Sequence, residues 1–149
     1  MKTMLWLMGV LFFTPCAYAD YQAETLMDGY TIVATFKSSH PFLAEYHRFI
    51  EIKKGGISLF KGDLGVDPGG FDYINIFKNK DVLVFQSFTD HAYLLDTKNA
   101  KVTSTDYDVE GDLPKMIYRG QFKVSKDADF LFVPAEKFSK PNYSMVKGG

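Results

Sequence analysis

Period-two alternation of apolar and polar residues recurs at short intervals along this chain, and turn residues separate one stretch from the next. That spacing predicts strands joined by tight turns rather than βα units. From Tyr30, the residues Tyr30, Ile32, Ala34 and Phe36 share one side and Thr31, Val33 and Thr35 the other, which makes the first strand. Ser38-Ser39-His40-Pro41 ends it, because proline removes a ladder donor and restricts the residue before it. A second strand over residues 42–53 puts Ala44, Tyr46, Ile50 and Ile52 on one face, with Glu45, His47, Glu51 and Lys53 on a half-solvated one. Gly55-Gly56 then signals a hairpin, since paired glycines accept the positive φ of a tight turn, and residues 57–60 pair back.

Residues 61–70 are glycine-dense and read as a long connection. Strands follow at 71–78 and, after a turn at Asn79-Lys80, at 81–88. In the latter Val82, Val84 and Phe88 oppose Leu83 and Phe85, so both faces are apolar and the strand is central. Residues 91–97 and 101–105 form another hairpin around Lys98-Asn99, and an acidic loop spans 106–112. In 116–125, Tyr118, Phe122 and Val124 alternate with Arg119, Gln121 and Lys123, and 130–134 is the last strand. Helical periodicity is absent apart from one turn at 135–138. The expectation is an all-β antiparallel meander of about eight or nine strands, closed into a small barrel or packed as a two-layer sandwich. It is one domain over residues 20–134, with a polar tail over 135–149.

The first nineteen residues break this pattern. Lys2, the apolar run of residues 4–13 and the Ala17-Tyr18-Ala19 site form a signal peptide cleaved before Asp20. The run is too short to span a bilayer, which takes about 20 apolar residues. Pro15 before Cys16 argues against lipid anchoring, so soluble export to a bacterial periplasm is expected. Cys16 is the sole cysteine of the chain and leaves with the signal, which excludes disulfide scaffolds and thiol nucleophiles in the mature product. Charge excludes a further class. Seventeen basic and eighteen acidic residues leave a formal net charge of −1, and loss of Lys2 makes it −2, so no basic surface for nucleic acid is expected.

Candidate chemistry is sparse. Asp106, Asp108, Glu110, Gly111 and Asp112 match the opening of a calcium loop, but the position that needs a bidentate glutamate holds Ile117, and an EF-hand is rejected. His40, His47 and His91 lack metal-ligand spacing. No G-x-S-x-G occurs, and the 62–70 segment has no G-K-[ST] and carries Asp63 and Asp67, which would repel a phosphate. No catalytic residue, metal or cofactor is therefore assigned.

What remains is acid presented on loops, at Asp63, Asp67, Asp106, Asp108, Glu110 and Asp112. Phe49 falls on the polar side of its strand beside His47, as an exposed anchor on a second surface. In outline, as an exported, small, all-β, cysteine-free and mildly acidic domain, the chain is similar to bacterial periplasmic immunity or inhibitor proteins. The similarity implies a non-enzymatic protein-binding module that occludes a toxic enzyme through acidic residues set against a basic active site. The alternative is a small-molecule or lipid carrier with an apolar cavity inside a β-barrel.

Overall fold

Alternation gives each strand its two faces, and the turns decide which strands meet. In a computed structural model, described over residues 20–40, 45–66, 73–86, 91–106, 115–124 and 130–137, ten strands form two antiparallel sheets. The smaller sheet contains β1 (Tyr21–Met27), β2 (Tyr30–Ser38), β3 (Tyr46–Lys54) and β4 (Ile57–Val66), side by side in chain order. The larger contains β5 (Tyr73–Asn79), β6 (Val82–Gln86), β7 (His91–Asp96), β8 (Lys101–Asp106), β9 (Ile117–Val124) and β10 (Phe130–Pro134). Its order is β10-β9-β5-β6-β7-β8, so the last hairpin returns to pair with β5 and the meander is broken once. A 3-10 turn, Ala135–Lys137, follows. The sheets do not close into a barrel; they form a sandwich.

The core lies between the sheets. Tyr30, Ile32, Ala34 and Phe36 of β2, with Ile50 and Ile52 of β3, meet Ile74, Ile76, Leu83, Phe85, Leu95 and Phe122 of the larger sheet in one cluster. Aromatic contacts tie its margin, with Phe36 and Phe130 ring centroids 4.5 Å apart. Each fully buried Ile, Leu or Phe of this core stabilises the fold by about 1.5–3 kcal/mol. β6 is central as expected: Leu83, Val84 and Phe85 are all buried, and Val84 joins Phe77 and Ala92 in a second cluster on the opposite face of its sheet.

Four departures from the sequence reading have physical causes. β1 precedes the strand expected to be first; it pairs with β2 from Tyr21↔Phe36 to Met27↔Tyr30. The connection expected over 61–70 is strand as far as Val66, so Asp63 stands on β4 and not on a loop. Gly62 suits that strand because a Cβ there would lie 2.5 Å from Tyr93 Cε2 and 2.6 Å from Phe60 Cε1. Asp106 is likewise the last residue of β8 rather than the start of a loop. In β9 the register shifts beside Gly120, which pairs with Ile76 while Tyr118 pairs with Phe77. That bulge sends Tyr118 to the outer cluster and Phe122 into the core, where strict alternation puts them on one face.

Candidate functional site

The β3–β4 hairpin starts in the register its Gly55-Gly56 turn dictates, Lys54↔Ile57 and Lys53↔Ser58. A bulge then intervenes, and Ile52 pairs with Phe60. A one-residue slip moves side chains to the other face of a sheet, so this bulge brings Asp63 opposite Phe49, onto the outer face. A second irregularity, with Gly65 at φ 82°, turns Asp63 toward His47: Oδ1 accepts the Gly65 amide at 2.7 Å, and Oδ2 lies 2.9 Å from His47 Nε2. The His47 and Phe49 rings are 4.8 Å apart, and Lys37 Nζ stands 5.7 Å from the Phe49 centroid. Phe49 is thereby half-buried, less exposed than the sequence reading expects.

A groove of about 220 Å³ runs beside this pair, lined by Thr35, Lys37, Phe49, Ile50, Glu51 and Lys61. Glu51 lies between Lys53 at 3.5 Å and Lys61 at 3.4 Å. A hydrogen bond from Ser58 holds its carboxyl below the usual carboxylate range, the two lysines add to this, and partial desolvation opposes it.

Across the seam the larger sheet supplies a matching pair. His91 Nδ1 of β7 is 3.5 Å from Asp106 Oδ1 of β8, whose side chain is 92% exposed. Tyr93 bridges the two: its ring meets His91 edge-on at 5.1 Å, and its hydroxyl donates to the Asp63 carbonyl at 2.8 Å, passing over Gly62.

The structure thus brings Asp63 together with His47 and Phe49 and places Asp106 beside His91; the link between the two groups is Tyr93, through its ring contact with His91 and its hydrogen bond to the Asp63 backbone carbonyl. Asp67, Asp108, Glu110 and Asp112 lie outside the described residues. Sequence reasoning gave no role to His91 or Tyr93; the shared side of His91, Tyr93 and core-facing Leu95 on β7 was the available signal. Among the described residues no group of three or more His, Cys, Asp or Glu side chains has the arrangement to hold a metal ion. No helix among them is long and apolar enough to cross a membrane. No protein-family model, curated protein or solved structure matches the chain.

Proposed function

We propose that the chain is an exported protein-binding module of the cell envelope, an immunity or inhibitor protein that occludes a toxic enzyme in the periplasm. The signal-peptide pattern of residues 1–19 supports export. The observation that carries the binding reading is the Asp63 carboxylate held beside His47 and Phe49, with a second His–carboxylate pair, His91 and Asp106, linked to it through Tyr93. Carboxylates complement a basic cleft, and aromatic side chains are the usual anchors of an interface. The Gly65 amide and His47 hold the Asp63 carboxylate before any partner arrives, which lowers the entropy lost on association. A carrier with its cavity inside a barrel has no closed barrel here to occupy.

Affinity capture from cell-envelope and culture extracts, run in parallel with the natural sequence and an Asp63→Lys/Asp106→Lys variant, tests the proposal. One stoichiometric enzyme partner, retained by the first and released early by the second, is the expected result. Equal retention by both would refute the role of the seam.

A further inference from the structure

The short hairpin turns of both sheets converge at one end of the sandwich. Lys78 of β5 reaches Asp28 in the β1–β2 turn at 2.8 Å, and Tyr30 donates to the Thr97 carbonyl in the β7–β8 turn at 2.9 Å. Lys54, beside the β3–β4 turn, donates to the Tyr30 hydroxyl at 3.3 Å. β9 begins at the same end, since Ile117 pairs with Lys78.

Cations collect there although the whole chain is close to neutral, with a formal charge of −1. The local carboxylates are already engaged: Asp28 by Lys78, Asp81 by Lys98 at 2.7 Å, and Asp96 by the amides of Lys98 and Asn99. Lys54, Lys80 and Lys101 are exposed and have no carboxylate within ion-pair distance among the described residues. The same pole exposes three large aliphatic side chains, Leu26 at 74%, Ile57 at 71% and Ile117 at 66%. Leu26 stands just before the first turn on the outward register of β1, Ile57 follows Gly56, and Ile117 opens β9.

Lysines that have no carboxylate beside them among the described residues, set around exposed aliphatics, suit one environment in particular. At a bilayer interface the aliphatic groups enter the acyl boundary while the ammonium groups meet anionic headgroups. A soluble polyanion would reward the lysines and leave the aliphatics in water. We propose that this hairpin pole docks on the surface of a bilayer containing anionic phospholipid, away from the seam that carries the His47–Asp63 pair.

Residues 20–149, which hold every described element, are sedimented with vesicles of phosphatidylcholine alone or equimolar with phosphatidylglycerol. Binding is expected only to the second, and release is expected near 1 M salt, where the screening length falls to about 3 Å. Each lysine near a charged surface contributes roughly fivefold in binding constant, so Lys54→Ala/Lys80→Asn/Lys101→Ala is expected to weaken binding roughly a hundredfold. A Leu26→Ser/Ile57→Ser/Ile117→Ser variant, its fold checked by circular dichroism, is expected to weaken it by roughly tenfold or more. Equal binding to both vesicles, or no binding to either, overturns the proposal. So does full binding by the aliphatic variant with displacement by heparin, which would mark a soluble-polyanion site instead.

Discussion

Gly120→Ala tests the bulge that orients β9. Gly120 has φ 134°, a backbone region that L side chains rarely adopt. Holding alanine there costs about 1–3 kcal/mol. Its Cβ would also collide with the Val133 carbonyl oxygen and lie 2.7 Å from Phe132 Cζ and 2.9 Å from Pro134 Cα. Two of those three neighbours are backbone atoms of β10, which cannot swing aside, and overpacking of this kind costs about 1–3 kcal/mol more. The combined loss of about 2–6 kcal/mol is a large part of the roughly 5–15 kcal/mol that holds a domain folded. Urea unfolding followed by far-ultraviolet circular dichroism measures it. Gly29→Ala is the control: Gly29 has φ 81° but nothing within 4 Å of the place an alanine methyl would take, so it isolates the torsional cost of about 1–2 kcal/mol. A loss for Gly120→Ala no larger than that of the control would refute the close-approach argument.

Three further outcomes follow from the same geometry. Phe85→Ala empties a fully buried site at the centre of the core and is expected to cost about 3–5 kcal/mol in the same urea assay. Tyr30→Phe removes the donor to the Thr97 carbonyl and the acceptor for Lys54, with an expected loss of about 0.5–1.5 kcal/mol; an unchanged midpoint would contradict the bridge between the sheets. Glu51 has a depressed folded pKa, so its contribution to stability is full above the unfolded value of about 4.3 and disappears as pH falls through the folded one. NMR titration should place the Glu51 carboxyl below the ordinary range, and Ser58→Ala should move it upward; no movement would remove Ser58 as the main cause.

The strands that proved readable have strong residues on their buried side. Tyr30, Ile32, Ala34 and Phe36 mark β2, and the doubly apolar run of Leu83, Val84 and Phe85 marks β6 as central. β1 is hard to read because its inward register is Tyr21, Ala23, Thr25 and Met27, interleaved with Gln22 and Glu24, and the outward Leu26 blurs the alternation at its end. Glycine misled in β4, where Gly62 makes room for Phe60 and Tyr93 instead of marking a loop. Bulges set the site, and alternation alone does not reveal them: continuing the Gly55-Gly56 register without a slip would place Gly62, not Asp63, opposite Phe49. Arg48, fully buried on the inward register of β3, also ran against composition, since a charged side chain is rarely taken into a core.

The unequal widths of the two sheets distribute cooperativity across the domain. β8 ends the wider sheet, pairs with β7 alone among the described strands, and has no fully buried residue. Its amides therefore depend on a single ladder, and they should exchange with solvent through local opening while β5 and β6 wait for global unfolding. Asp106 rides on that looser strand; Asp63 stands on β4, itself an edge strand, but there the Gly65 amide and His47 tether its carboxylate. The Asp63 carboxylate is thus tethered at two points, and the Asp106 carboxylate sits where the backbone yields at small cost.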